Sequence, residues 1–252
     1  MTSIRMEEMS WPPIRAAIEG GCATAVVAVG ATEQHGPHLP TMTDARIGDA
    51  VAELVARKLG DALVARTVDV GISEHHLALG GTISLKPETL KLVLRDYVDS
   101  LVRCGFTRIV FVPTHGGNFP AVREAIDEAR AAHPGIDVAG YTDLLGFAGF
   151  LKRVSAEYGI PAEASGAHAG ENETSIMMAL EPDLVESGRF AAGYLGPLGA
   201  AEVQRILERG MPDLTSTGVL GDPRGASAPK GRVYLDRLAD FLVAEIGNDH
   251  PV

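Results

Sequence analysis

Cysteine is nearly absent from this sequence: Cys22 and Cys104 are the whole supply, and they form no CxxC pair. That excludes a disulfide-stapled secreted scaffold and a cysteine-built metal site. Both thiols are expected to be small buried hydrophobes in a reducing cytoplasm. Basic residues are also scarce. With 22 Lys and Arg against 33 Asp and Glu, the net charge of −11 excludes a nucleic-acid footprint or an anionic membrane partner. No apolar run reaches the ~20 residues of a membrane span, and residues 1–13 are mixed and polar, unlike a signal peptide. Several catalytic signatures are missing too. There is no GxSxG elbow, HExxH, Walker A sequence or GxGxxG after the first strand, which removes serine hydrolases, zincins and the common nucleotide folds.

What is present is a globular core, 46% hydrophobic and 22% charged, in 252 residues. Short β-branched runs at 23–29, 62–70, 108–113 and 136–141 read as strands. Helical periodicity falls between them: 45–59, where Ile47, Val51, Leu54 and Val55 share a face, then 86–104, then a helix through Val122, Ile126 and Ala129, then 144–158. Further helices are expected at 171–180, near 202–208 and at 232–246, and the piece 7–19 with Trp11 is expected to cap an edge. With no linker, repeat or composition break, the chain reads as one domain over 1–252. Its class is α/β, a parallel sheet covered on both faces. The loops after the strands of such a sheet share one edge, and ligands bind there.

The titratable residues fall on that edge. After the first strand, EQHGPHLPTMTD delivers Glu33, His35 and Asp44 on a loop stiffened by Pro37 and Pro40. His115 follows the third strand, ahead of Gly116 and Gly117, where the backbone can approach a ligand and the next helix offers free N–H groups. His168 lies on a small-residue loop, 161–170, expected to be mobile, and Glu173 opens the next helix. Carboxylate and imidazole donors together suit Zn, Mn or Fe(II). Asp44 is short enough to bridge two ions, which would lower the pKa of water and polarise a carbonyl. An uncoordinated His168 suits proton transfer to a leaving nitrogen. Plainer readings compete. Thr43-Asp44 is also a helix N-cap signal, His115 also a turn residue, and His168 also a surface histidine. Glu171 and Glu173 are also first-turn carboxylates favoured by the helix dipole.

The motifs EQHGPHLPTMTD, THGGN and HAGENETS, in that order, resemble the creatininase (creatinine amidohydrolase) family over about residues 24–180, with a weaker echo in GVLGDP. The resemblance implies a three-layer α/β/α sandwich with a mostly parallel central sheet, a homohexamer, and one or two divalent ions per subunit. It implies metal ligation by Glu33, His35, bridging Asp44 and His115, and a catalytic role for His168. Creatininase carries a glutamate ligand two residues after its metal-binding histidine. Here that position is Gly117, which moves the expectation to Glu173, as ligand or base, and away from creatinine as substrate. In a second loop, relatives resemble S-x-E-H-x-x-F-P-G-T; aligning Ser73, His76, Gly81 and Thr82 places His75 at the glutamate position, Leu79 at the Phe and Gly80 at the Pro. Ser73, His75, His76, Thr82, Gly116 and Gly117 are expected to line the pocket. The expected function is hydrolysis of a small, cyclic amide C–N bond by metal-activated water in a cytoplasmic enzyme. The alternatives are a hydrolase of a non-amide ring, such as a keto-inositol or lactone, and a metal- or sugar-binding module without turnover.

Overall fold

The computed structural model describes residues 3–248. Its framework is a parallel sheet in the order β2-β1-β3-β4, formed by β1 (Thr24–Val29), β2 (Ala62–Val64), β3 (Arg108–Pro113) and β4 (Asp137–Gly140). β1 pairs along its whole length with β3, from Thr24 opposite Arg108 to Val29 opposite Pro113. The run TAVVAV is buried at every position, which a sheet covered on both faces allows and a half-exposed one does not. Side-chain alternation then splits it: Ala25, Val27 and Val29 enter one core, Val26 and Ala28 the other.

The helices are α1 (Trp11–Glu19), α2 (Thr43–Leu59), α3 (Pro87–Cys104), α4 (Phe119–Ala132), α5 (Leu144–Ala156), α6 (Ala162–Ser165), α7 (Glu171–Leu180), α8 (Ala200–Arg209) and α9 (Ala228–Asn248). α1, α3 and α4 pack on one face of the sheet, and α2, α5, α7 and α9 on the other. This is the expected three-layer sandwich. The edge of the sheet at β2 is covered by residues ahead of the expected piece, Ile4 O accepting the Val64 N–H at 2.8 Å, while Ile14, Ala17 and Ile18 of α1 pack against the core on one sheet face. Among the described residues, no helix is long and apolar enough to cross a membrane.

Three details differ from the sequence reading. β2 stops at Val64 rather than at residue 70, because Arg66 and Asp69 turn out to solvent and only a bridge between Val29 and Val68 continues the pairing. Helix α9 starts at Ala228, ahead of residue 232. Cys104 is exposed and Cys22 only half-buried, so neither is the buried hydrophobe expected; Cys104 follows Arg103 on the solvent side of the last turn of α3.

The topology positions the site. From β1 the chain winds outward to β2, then crosses to the other side of β1 to lay down β3 and β4. The winding therefore reverses between β1 and β3, and a crevice opens there beyond their carboxyl ends.

Candidate metal centre

Glu33 and His35 leave the end of β1, and His115 leaves the end of β3. Asp44 returns in the first turn of α2, inside the helix rather than capping it, since the cap residue is Met42. His168 precedes α7, and Glu173 stands in its first turn. The crevice brings all six together. His35 Nε2 lies 3.2 Å from Asp44 Oδ1 and 3.9 Å from Glu173 Oε2. His115 Nδ1 lies 3.2 Å from both Asp44 Oδ2 and Glu33 Oε1, and His168 Nδ1 lies 3.5 Å from Glu33 Oε1. Asp44 thus has one oxygen beside His35 and the other beside His115, and Glu33, His35 and Asp44 converge closely enough to hold an ion.

The backbone dictates which ring nitrogens are bare. His35 Nδ1 donates to Glu33 O at 3.1 Å, and His115 Nε2 donates to Ile72 O at 2.9 Å. A carbonyl only accepts, so each neutral ring keeps its lone pair on the other nitrogen, the one that faces the carboxylates. Lone pair against carboxylate is repulsive unless a cation sits between them. Both Glu33 oxygens, Asp44 Oδ2 and His35 Nε2 are accordingly buried without a hydrogen-bond partner. Each such orphan costs about 1–3 kcal/mol, more for a charged group. Imidazole nitrogen with carboxylate oxygen, converging and buried, is a donor set that fits a zinc or manganese ion.

Without an ion, protons are drawn to its place. Burial alone would lower the pKa of His35, but Asp44, Glu173 and Glu33 outweigh it and push it up to about 10. His115 is raised well above its ordinary value, Glu33 and Asp44 overriding burial. Asp44 is held far below the carboxylate range, because the two imidazoles override the upward push of burial. Glu173 moves up, through burial and the nearby Asp44 charge, against the pull of His35. His168 moves the other way: burial and the charge on His35 hold it well below the usual histidine range.

The segment carrying His168 is pinned, contrary to expectation. His168 is only 7% exposed, its carbonyl accepts the Leu220 N–H at 2.9 Å, and its Nε2 donates to Gln34 O at 2.7 Å. The small residues there allow the main chain to run hard against residues 220 and 221; they serve packing, not motion. Ala169 holds a left-handed φ of 53°, which costs an alanine roughly 1 kcal/mol. That turn aims its N–H at Glu173 Oε2, 2.5 Å away.

The residues expected to line the pocket divide. Ser73 Oγ lies 3.4 Å from His115 Nε2, and Thr82 Oγ1 accepts the Gln34 N–H at 3.0 Å, so both brace the cluster. His76 is buried, its Nε2 3.4 Å from Glu33 Oε1. His75 stacks with its ring centroid 6.1 Å from that of His115 and lines a groove of about 450 Å³ with Leu77, Ala78, Leu207 and Arg209. Gly116 stays half-buried with Leu144 beside it. Gly117 has no room for a side chain: a Cβ there would lie 2.2 Å from Ile72 O and 2.6 Å from His115 Nε2. A glutamate at 117 does not fit this backbone, and Glu173 is the carboxylate that faces His35 instead. Spacing alone does not single out Gln34, which contacts both His76 and His168; its place between two ligand candidates was the available signal.

A family model described as Creatininase, creatinine amidohydrolase, matches residues 7–246. A mycofactocin precursor peptide peptidase of Mycobacterium ulcerans (strain Agy99) is 37% identical over 235 residues, covering 90% of this chain and 85% of that protein. The creatinine amidohydrolase of Pseudomonas putida is 28% identical over 261 residues, covering 99% and 98%. Among solved structures, a creatininase variant of the Zn-Zn type overlays with a TM-score of 0.83 at 26% identity, over 100% of both chains. The match runs through every member of the cluster, from Glu33 to Glu173, and this chain belongs to the creatininase family as one of its hydrolases.

Proposed function

We propose that the protein is a metal-dependent amidohydrolase whose substrate is a peptide-like amide. The observation that carries the reading is the set of buried, partnerless atoms: both Glu33 oxygens, Asp44 Oδ2 and His35 Nε2. Glu33, His115 and Asp44 would hold one divalent ion, and His35, Glu173 and Asp44 a second, with zinc or manganese favoured by the donor type. Bound there, such ions supply a nucleophilic water at neutral pH and polarise the scissile carbonyl.

The chain itself contributes position and proton handling. The main-chain carbonyls of Glu33 and Ile72 fix the two ligand imidazoles in complementary tautomers, so no reorganisation is needed when the site loads. His168 has one nitrogen committed to Gln34 O, which leaves Nδ1 as its working atom. Being held neutral, Nδ1 accepts a proton during attack and returns it to the leaving nitrogen, which departs poorly as an unprotonated amide anion.

Two observations support a peptide-like substrate. Identity is higher to the peptide peptidase, 37%, than to the creatinine amidohydrolase, 28%. Position 117 excludes the carboxylate that creatininase carries. A small cyclic amide is the competing substrate. Zinc- or manganese-loaded protein should cleave short peptides but not creatinine, and His168→Ala should lose roughly 10²–10⁴-fold. Metal-loaded protein that turns over no amide of either kind contradicts the reading.

A further inference from the structure

Glu33 Oε1 faces more imidazole than its metal set requires: besides His115, His76 Nε2 approaches to 3.4 Å and His168 Nδ1 to 3.5 Å. Glu33, His76 and His168 lie close enough together to pass for a further metal triad. The other edge of each ring decides otherwise. Gly36 N donates to Gln34 Oε1 at 3.0 Å, which fixes the orientation of that side-chain amide. Its nitrogen then points at His76 Nδ1, 2.7 Å away, with Gly218 O at 3.4 Å. An amide N–H only donates, so His76 Nδ1 is the accepting atom and the ring proton sits on Nε2. His76 therefore turns an N–H, not a lone pair, toward Glu33, in a long contact rather than a full hydrogen bond. The main-chain carbonyl of the same residue, a pure acceptor, takes the Nε2 proton of His168 at 2.7 Å; the side-chain nitrogen of Gln34 also lies 3.0 Å from that Nε2, and its two hydrogens go instead to His76 Nδ1 and Gly218 O. The pocket around this amide is closed. Gly218 has a φ of 77°, and a Cβ there would come within 2.0 Å of Gln34 Oε1; Thr82 Oγ1 holds the Gln34 N–H.

We propose that Gln34 is a positioning residue that sets the tautomers of His76 and His168 at once, so that His76 serves Glu33 as a proton donor and is not a metal ligand. This rests on the reading of the cluster as a metal centre. In that role His76 offsets part of the charge on Glu33 and orients it, while His168 is left with a bare Nδ1 for proton transfer. Partners of this kind, one step removed from the ion, typically change metal affinity or activity roughly 10–100-fold when lost.

The decisive variant is Gln34→Glu, nearly identical in size, able to accept the Gly36 N–H but unable to donate to His76. Long-range ¹H–¹⁵N NMR on zinc-loaded protein reads which ring nitrogen of His76 carries the proton. Wild type should show it on Nε2 with Nδ1 bare, and Gln34→Glu should show the reverse. Zinc affinity by chelator competition should fall roughly 10–100-fold in Gln34→Glu and in His76→Leu. His76→Gln, whose amide restores an N–H near the Nε2 position, should stay within a few-fold of wild type. A bare, zinc-bound Nε2 on His76 in wild type overturns the proposal, as does an equal loss of zinc in His76→Gln and His76→Leu. Wild-type protein that binds no zinc at all overturns instead the metal-centre reading beneath it.

Discussion

Glu33 and Glu171 are both fully buried, and their surroundings are opposite. Glu171 Oε1 accepts from Ser175 Oγ at 2.8 Å and faces Lys230 Nζ at 2.8 Å, while Oε2 accepts from Tyr234 Oη at 2.6 Å. Behind these, Ser155 bonds both Tyr234 and Ser165, and Asn172 reaches Ser165, so the network ties α7 to α5, α6 and α9. Glu33 has three imidazole nitrogens within 3.5 Å and no hydrogen bond to either oxygen. Burial of a carboxylate therefore does not mark a functional site in this protein. What marks it is that neither oxygen completes a hydrogen bond. One acid closes a structural network, and the other waits for a cation.

Exchanging the roles of the two acids should show the contrast at its largest. Glu171→Gln leaves Lys230 without its buried partner and should cost about 3 kcal/mol of stability, at the lower end for a broken buried pair because Lys230 keeps some solvent access. Zinc affinity should stay near wild type. Denaturant unfolding and chelator competition on one preparation check both halves. Glu33→Gln should invert the pattern. Activity should drop on the order of 10²–10³-fold, the scale of losing one preorganised charged contact, while the metal-free protein loses less stability than Glu171→Gln does, since Glu33 has no hydrogen bond to give up and only its ion pair with His115 is lost. If Glu33→Gln instead unfolds the metal-free protein, Glu33 is a structural acid like Glu171.

Proton linkage gives the next effect. The folded pKa of His35, about 10, lies above the ordinary 6.5. In metal-free protein this contributes stability that is fully present below pH 6.5 and is lost as pH rises through about 10. Ligation needs the bare nitrogen, so zinc must displace that proton, and affinity should climb with pH across the same window, up to about tenfold per unit for one proton. Zinc added to weakly buffered metal-free protein at pH 7 should acidify the solution, and Glu171→Gln should not alter that release. No acidification contradicts the assignment of His35 as a ligand. Ala169→Gly is the smallest change: relief of the left-handed strain and the added freedom of the unfolded chain should nearly cancel, leaving stability within about 1 kcal/mol. A larger loss would show that the methyl, not the N–H toward Glu173, is what that position supplies.

Much of the fold and about half of the site were legible in the sequence. Fully apolar runs ending in polar loops mark β1 and β3 because strands buried on both faces leave no other pattern, and the alternating chain then forces Glu33, His35 and His115 onto one edge. Asp44 and Glu173 were legible as candidates, but each shared its signal with a helix start. Only the orphaned Asp44 Oδ2 and the contact between Glu173 and His35 separate the readings. The run of alanine, serine and glycine around His168 suggests mobility on composition, yet small residues equally permit two main chains to pack together, as they do against Leu220. Gln34 and the donor role of His76 were not legible, because hydrogen-bond satisfaction is a property of three-dimensional neighbours and leaves no periodicity. Gly117 was legible as a departure, but its reason, the carbonyl of Ile72 pressed against it, lies 45 residues away in the chain.

The central claim is that the partnerless atoms around Glu33 and Asp44 are metal ligands on which hydrolysis depends. Zinc titration of chelator-stripped protein, with peptide hydrolysis followed at each addition, tests it most directly. Activity should be absent from stripped protein and return in step with saturable zinc binding, and Asp44→Asn should show neither. Stripped protein that hydrolyses as well as untreated protein, or that takes up no zinc, would contradict the account.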